Sequence, residues 1–304
     1  MAVPDRVDPP PPSGVLRLGG REFGPGRLLV MAIINRTPDS FYSRARQLGD
    51  DVAAEAVECA VAEGADLVDV GGVKAGPGRL VDEAEELHRV IPFVERMRAA
   101  HPGLLVSVDT WRAEVARRAC AAGADLVNDT WAGHDPGLPE VAAQYGAGLV
   151  CSHTGGALPR TNPHRVRYGD TCEGVVDDVL ATLRAAAARA TAAGVDPAAV
   201  LLDPTHDFGK NTWHGLALVR RTADVVALGH PVLMALSRKD FVGETLDLPV
   251  GDRLEGTLAA TAVAAWCGAK VFRAHDVAET RRTLDMVASL RGDRPPANAV
   301  RGLA

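Results

Sequence analysis

Short apolar runs recur along this chain, and a polar loop and then an Ala-rich amphipathic segment follow each of them. Each run is nearly continuous rather than alternating, which is typical of a parallel strand covered on both faces. The predicted strands are residues 28–35, 65–72, 104–110, 124–130, 148–154, 199–206, 231–239 and 270–276. The amphipathic segments predict helices near residues 50–64, 82–100, 111–122, 137–146, 172–194, 211–223, 253–267 and 277–290.

Several of the predicted helices lead into the next strand through the same short connection. The segments AEGADLV, AAGADLV, QYGAGLV and WCGAKVF each place one glycine between the two elements. Glycine is favoured just past a helix end because it adopts a positive φ at little cost. Strands and helices in strict alternation favour a closed (β/α)₈ TIM barrel, an α/β fold in a single domain. An open doubly wound sheet is the alternative, but no G-x-G-x-x-G motif follows the first strand.

The two ends of the chain differ in composition from the repeating part. Residues 1–14 are Pro-rich and predict a disordered tail, and residues 291–304 predict a second tail. The barrel domain is therefore expected over residues 15–290. Within it, residues 15–26 predict a small hairpin that closes the bottom of the barrel.

Composition and charge limit the classes of partner. The chain has 304 residues, of which 47% are hydrophobic, and this is enough for a large core. The net charge of −6 argues against nucleic acid and against an anionic membrane surface. No apolar run approaches the roughly 18 residues that a membrane span needs, and the N-terminus lacks the basic and apolar segments of a signal peptide. These features predict a cytoplasmic protein.

Polar side chains collect where the predicted strands end. In a TIM barrel these ends and the following loops form the mouth that carries the active site. For a single residue, capping of a helix or solvation of a loop is the simpler explanation, but all eight strands end in this way. The residues are Asn35, Asp69, Asp109, Asn128, Asp129, His153, Asp203, His206, Ser237, Arg238, Lys239, Arg273, His275 and Asp276.

The residue types at this predicted mouth suggest a polar, anionic ligand. Only four of the 33 basic residues are lysines, and Lys74, Lys210 and Lys239 fall near the strand ends. Carboxylates and asparagine could accept from the N–H groups of a heterocycle, and the cations could hold phosphate. The amide oxygen of Asn35 suits a hard cation such as Mg²⁺.

Seven motifs occur in order along the predicted strands. They are NRTPDSF at 35–41, DVGG at 69–72, SVDT at 107–110, VNDT at 127–130, DP with FGK at 203–210, SRK at 237–239 and FRAHDV at 272–277. With these motifs, residues 26–290 resemble the dihydropteroate synthases, members of the pterin-binding TIM-barrel group. The resemblance implies a transferase of folate biosynthesis that joins 6-hydroxymethyl-7,8-dihydropterin diphosphate to p-aminobenzoate and releases diphosphate. It also implies Mg²⁺ as the cofactor and a homodimer formed through the late barrel helices.

The resemblance also implies a role for individual side chains. Lys239 and Asp109 correspond to catalytic positions, and Ser237 lies on the p-aminobenzoate side. Asn35 corresponds to the metal contact and, with Arg273 and His275, to the diphosphate site. The positions that correspond to pterin-binding residues are Asp109, Asn128, Asp203, Lys210 and Lys239.

Three loops depart from the family pattern. The second loop reads GGVKAGPG at 71–78, where the family has G-G-E-S-T-R-P-G, so Val73, Lys74, Ala75 and Gly76 replace Glu, Ser, Thr and Arg. The first loop reads SFYSRARQLG in place of S-F-S-D-G-G, and the sixth reads DPTHDFGK in place of D-P-G-F-G-F-G-K. The pattern is typical of a divergent second paralogue.

Three hypotheses on function follow. The first is a dihydropteroate synthase-like transferase. The alternative is a paralogue that binds a pterin or a related ligand but lacks synthase activity. A third, a related enzyme such as a methyltetrahydrofolate methyltransferase, is disfavoured because SRK and FRAHD suggest a diphosphate substrate.

Overall fold

The structure is a computed structural model, and it describes residues 10–36, 50–161, 166–169 and 173–301. A small antiparallel hairpin comes first, with β1 at Leu16–Leu18 and β2 at Arg21–Phe23. Leu16, Leu18 and Phe23 are buried against the first residues of the barrel strands. This confirms the predicted hairpin at the bottom of the barrel, where it closes the apolar interior to water.

Eight parallel strands follow and form one sheet in the order β8-β7-β6-β5-β4-β3-β10-β9. A bridge between Leu202 and Val232 joins the two edges, so the sheet closes into the predicted barrel. The strands are β3 Leu29–Asn35, β4 Leu67–Gly71, β5 Leu105–Asp109, β6 Leu126–Asp129, β7 Gly148–Ser152, β8 Val200–Asp203, β9 Leu233–Met234 and β10 Val271–Ala274.

Helices surround the barrel and cover its outer face. They are α1 Asp50–Ala62, α2 Glu83–Ala100, α3 Ala113–Ala121, α4 Leu138–Tyr145, α5 Gly174–Ala192, α6 Thr212–Arg220, α7 Thr222–Val226, α8 Asp240–Leu246, α9 Leu254–Trp266 and α10 Val277–Arg291. The four glycines of the repeated connections have positive φ, at +98° for Gly64, +106° for Gly123, +64° for Gly146 and +100° for Gly268. Each of these glycines therefore adopts the predicted positive φ just past the end of a helix.

The helices and strands differ from the sequence prediction in two places. The predicted helix 211–223 is divided at Arg221, and the Thr222 hydroxyl that follows donates to Leu218 O and Val219 O. The seventh barrel strand has only two residues, Leu233–Met234, and the unpredicted α8 begins soon after it. Because β9 ends at Met234, Ser237 and Lys239 lie beyond the strand, just before α8.

The two chain ends are partly described. Ser13 belongs to the predicted N-terminal tail, and its hydroxyl donates to Gly268 O at 2.6 Å. At the other end, Arg291 donates to Pro10 O at 3.0 Å. Residues 1–9 and 302–304 lie outside the described residues. In the parts of the chain that are described, no helix is long and apolar enough to cross a membrane.

The interior of the barrel changes character along each strand. Its lower layer is apolar and includes Leu67, Leu105, Leu126 and Val271, each with an exposed fraction of 3% or less. Side chains alternate in direction along a strand, so the residue two positions further on also points inward. At those positions the chain has Asp69, Ser107, Asn128 and Arg273, and this polar layer forms the floor of the mouth.

Candidate functional site

An ion pair between strands far apart in the chain forms the centre of the polar layer. Arg273 on β10 donates through Nε to Asp69 on β4 at 2.6 Å and through Nη2 to Asp109 on β5 at 3.1 Å. Asp69 also accepts from the Ser107 hydroxyl at 2.6 Å and from the Asn128 amide at 3.1 Å. Three donors therefore satisfy a carboxylate that is completely buried.

Asp109 lies at the upper edge of this layer. Thr130 donates to its Oδ1 at 2.9 Å, while Arg273 binds the other oxygen. Burial raises the pKa of the Asp109 carboxyl, and the guanidinium of Arg273 opposes that effect. Asp69, the other carboxylate on the same guanidinium, raises the pKa of Asp109 further.

Asp203, at the end of β8, retains part of its hydrogen-bonding capacity. Its Oδ1 accepts from the backbone N–H of Thr205 at 2.7 Å. Burial raises the pKa of Asp203 to about 6. Nearby cations oppose this effect, and among them Lys239 lowers the pKa most. At pH 7 the group is therefore mainly a carboxylate and can accept a hydrogen bond from a ligand.

Lys239 stands between the sixth and seventh barrel loops. Its ammonium donates to His206 O at 3.0 Å and lies 4.6 Å from the centroid of the Phe208 ring. The Phe208 ring in turn packs edge-on against Trp131, with centroids 5.0 Å apart. An ammonium with one backbone acceptor has donors left for a ligand.

Lys210 has a different environment from Lys239. Its ammonium donates to three backbone carbonyls, those of His153 at 2.7 Å, Phe208 at 2.8 Å and Thr205 at 3.0 Å. All three N–H groups are occupied, so this lysine ties the fifth and sixth loops together. The contacts favour a structural role for Lys210, and its predicted part in pterin binding has no support from them.

Ser237, predicted on the p-aminobenzoate side, lies against His275, which was predicted at the diphosphate site. The Ser237 hydroxyl and His275 Nδ1 lie 3.0 Å apart, and the backbone N–H of His275 donates to the same hydroxyl at 3.2 Å. Burial, aided by the charge of Arg273, lowers the pKa of His275 to about 4. His275 is therefore neutral at pH 7.

Asn35, the predicted metal contact, ends β3 beside Asp109. A Cβ at Gly71 would lie 3.8 Å from Asn35 Oδ1 and 3.7 Å from the Asp109 Cβ. Within the described ranges, no group of three His, Cys, Asp or Glu side chains could hold a metal ion. The predicted changes in the first loop fall on residues 42–49, which are outside the described part of the chain.

The sixth loop shows how its departures are accommodated. Thr205 and Asp207 have φ of +55° and +67°, which side chains other than glycine rarely adopt. Hydrogen bonds of both side chains offset part of this backbone strain. The Thr205 hydroxyl accepts from His153 N at 3.1 Å, and Asp207 Oδ2 accepts from Asp240 N at 2.6 Å.

His206, between those two residues, is completely buried and packs on Phe241 with ring centroids 5.3 Å apart. Among the described residues, neither ring nitrogen has a hydrogen-bond partner. Burial, with help from the charges of Lys210 and Lys239, lowers the pKa of His206 to about 3. The folded protein therefore keeps an uncharged imidazole whose polar atoms are unsatisfied.

We expect His206→Phe to stabilise the protein by about 1–3 kcal/mol at pH 7, because it removes unsatisfied buried nitrogens. The gain should grow as the pH falls from about 6.5 towards 3. In that window the unfolded histidine binds a proton that the folded one does not, so acid costs the wild type stability that the variant keeps. Urea unfolding at pH 7 and 5 measures both effects. Equal differences at the two pH values would contradict the assignment of a depressed pKa.

The sequence motifs do not reveal the role of several residues of this site. The sequence places Asp69 at a strand end but assigns it no partner, and it assigns no role to Ser107 or Thr130. A period-two reading of each strand beyond its apolar residues would have found them, since LVDVG, LVSVD and LVNDT place polar residues at the alternate positions. The predicted residues Asp109, Asn128, Asp203, Lys239 and Arg273 do meet at one mouth.

A closed barrel with buried carboxylates, an amide and cations at its mouth defines a class of α/β barrel that binds small polar molecules. Residues 31–275 match the pterin binding enzyme family, and the chain belongs to this family, with the dihydropteroate synthases among its relatives.

Individual relatives refine this assignment. Over 287 residues the chain is 63% identical to a Mycobacterium tuberculosis protein named inactive dihydropteroate synthase 2, covering 94% of this chain and 90% of that protein. It is 37% identical over 266 residues to the dihydropteroate synthase of Bacillus subtilis, covering 87% and 89% of the two chains. A Yersinia pestis dihydropteroate synthase solved as a sulfonamide drug complex matches with a TM-score of 0.84 and 34% identity, over 92% of this chain and all of that one.

These comparisons correct one expectation. The sequence prediction of a working dihydropteroate synthase is wrong, because relatives that are 63% identical over 94% of the chain are named inactive. Relatives named dihydropteroate synthase without that qualifier match at much lower identity, 37% for the Bacillus subtilis protein. The predicted membership of the family and the predicted barrel are confirmed.

Proposed function

We propose that this protein is a pterin-binding barrel that lacks dihydropteroate synthase activity. The single observation that carries the proposal is the hydrogen-bonding capacity left at the mouth. Asn128 donates its amide to Asp69, which leaves its carbonyl oxygen as an acceptor. Asp203 keeps a second oxygen, and Lys239 keeps donors. Two acceptors beside a donor complement the amino, ring N–H and carbonyl groups along the edge of a pterin.

The absence of synthase activity is supported by the second loop. Val73, Ala75 and Gly76 carry no carboxylate, hydroxyl or guanidinium, although the corresponding family positions do. Lys74 cannot replace the planar, bidentate fork of an arginine. A loop without these groups has little to offer a leaving diphosphate or an attacking arylamine, and this agrees with the names of the relatives at 63% identity.

In this proposal, Mg²⁺ would bind only together with a phosphate-bearing ligand. Asn35 would give the ion one neutral amide oxygen, and the nearby carboxylates Asp69 and Asp109 are already paired with Arg273. Mg²⁺ commonly takes few protein ligands and completes its shell with water and phosphate oxygens. An ion here would therefore accompany a phosphate-bearing ligand rather than reside in the protein.

We also propose a homodimer formed through α9 and α10. Val263 on α9 and Met286 and Leu290 on α10 are exposed by 47%, 59% and 62%, and the two helices pack side by side. Exposed apolar side chains on neighbouring helices are candidates for a protein interface. Sedimentation of the purified protein as a monomer at micromolar concentration would refute this contact.

The proposed function is tested with two measurements on the wild-type protein. Titration with 6-hydroxymethylpterin should change the fluorescence of Trp131, which touches the Phe208 ring beside Lys239. Incubation with the pterin diphosphate, p-aminobenzoate and Mg²⁺ should give no dihydropteroate. Saturable binding without turnover is the expected result. Turnover would contradict the second half of the proposal, and absence of binding would contradict the first.

A further inference from the structure

Two loops meet across the mouth of the barrel. One follows β4 and contains Gly76, and the other follows β7 and contains Arg160. Arg160 Nε lies 3.4 Å from Gly76 O, and a Cβ at Gly78 would lie 3.2 Å from Arg160 Nη2. Since β4 and β7 are three strands apart in the sheet, this guanidinium reaches over the opening.

The backbone holds Arg160 in a fixed turn. Thr161 N donates to Leu158 O at 3.2 Å, which closes a four-residue turn with Pro159 second and Arg160 third. Arg160 has a φ of +61°, and with the φ of proline fixed near −65° this is the type II arrangement that normally takes glycine third. A long cationic side chain is kept at a position where glycine would be less strained.

The guanidinium of Arg160 is also available for an anion. In the described part of the chain it has no carboxylate partner, and its one hydrogen bond is the long contact with Gly76 O. Arg273, in the polar layer below, is shared between Asp69 and Asp109. At the second loop itself, position 76 is a glycine and supplies no side chain.

We propose that Arg160 binds an anionic group of the ligand, a carboxylate or a phosphate, and so supplies from the fifth loop the guanidinium that the second loop lacks at Gly76. The proposal rests on the proposed pterin binding and extends it to the substrate class: a pterin that bears an acid on its side chain. An unpaired guanidinium over a polar cup suits bidentate recognition of either anion.

The test compares three probes: uncharged 6-hydroxymethylpterin, pterin-6-carboxylate and 6-hydroxymethylpterin diphosphate. Arg160→Ala should weaken the binding of one or both acid probes by about tenfold or more and leave the uncharged probe unchanged. The double variant Arg160→Ala with Gly76→Arg places a guanidinium on the second loop instead, and it should restore part of the lost affinity. Arg184→Ala is the matched control, because Arg184 is an exposed arginine on α5.

The outcomes distinguish the role of Arg160 from the proposed pterin binding on which it rests. If the wild type binds the uncharged pterin but Arg160→Ala leaves the affinity for both acid probes unchanged, the role of Arg160 is refuted and pterin binding stands. An equal loss for all three probes would also refute it, because that result indicates a distorted mouth. If the wild type binds none of the probes, both proposals fail. The two acid arms show whether the anion is carboxylate or phosphate.

Discussion

Asp69→Ala should destabilise the protein by about 3–5 kcal/mol, the largest effect that we expect from a single substitution. Asp69 is completely buried and accepts from Arg273, Ser107 and Asn128. Its removal leaves the buried guanidinium of Arg273 with one carboxylate instead of two. It also leaves the Ser107 hydroxyl and the Asn128 amide without their acceptor. A single partner lost from such a cluster is costly because the remaining groups stay desolvated.

Equilibrium unfolding in guanidinium chloride measures this loss. The matched control is Asp51→Ala, since Asp51 also binds an arginine, Arg96, but its side chain is 89% exposed. Exposed ion pairs contribute little, so the control should behave like the wild type. Asp69→Asn keeps the shape and should lose less than Asp69→Ala. If the Asp69 and Asp51 variants were equally stable, the polar layer would not be the structural centre that we describe.

The second large effect concerns binding. Lys239→Ala and Asp203→Asn should each weaken the binding of uncharged 6-hydroxymethylpterin by about tenfold to a hundredfold, since a hydrogen bond to a charged group contributes about 1.5–3 kcal/mol. The first variant removes a donor. The second keeps the shape of the side chain and can still accept from Thr205 N, but an NH₂ group then faces the N–H groups of the ligand.

Fluorescence titration is suited to this test, because Trp131 is buried beside Phe208 and Lys239. Trp213 is 67% exposed and adds a background signal, so the variants are best compared in a Trp213→Phe chain. Arg184→Ala again serves as the control for a lost surface charge. Retained affinity in both Lys239→Ala and Asp203→Asn, with an unchanged melting temperature, would refute the proposed pterin site.

The departures from the family pattern affect different parts of the molecule. Thr205 and Asp207 have positive φ at positions where the family pattern has glycine, and their side chains accept hydrogen bonds from His153 N and Asp240 N. The second loop loses its polar groups instead, and Arg160 approaches it from across the mouth. The departures thus lie in the loops, whereas Asp69, Ser107, Asn128 and Arg273 of the polar layer belong to motifs that match the family pattern.

The sequence by itself determined the order of the β–α units, the turns and the family. These depend on short-range patterns: apolar runs, helical periodicity, and glycines such as Gly64 and Gly123 that need a positive φ. The polar residues at the strand ends could also be predicted, because parallel strands bring all their C-terminal ends to one rim. Motifs such as SVDT and FRAHDV could be placed for the same reason.

Only the tertiary structure decided which of these side chains bind one another. Asp69 and Arg273 are 204 positions apart, and Arg160 and Gly76 are 84 apart, so no local pattern encodes either contact. Lys210 and Lys239 look alike in sequence. Among the described residues, however, Lys210 donates to three backbone carbonyls and Lys239 to one. The physical reason is that hydrogen-bond partners depend on strand register and barrel closure, which place each donor within about 3 Å of its acceptor.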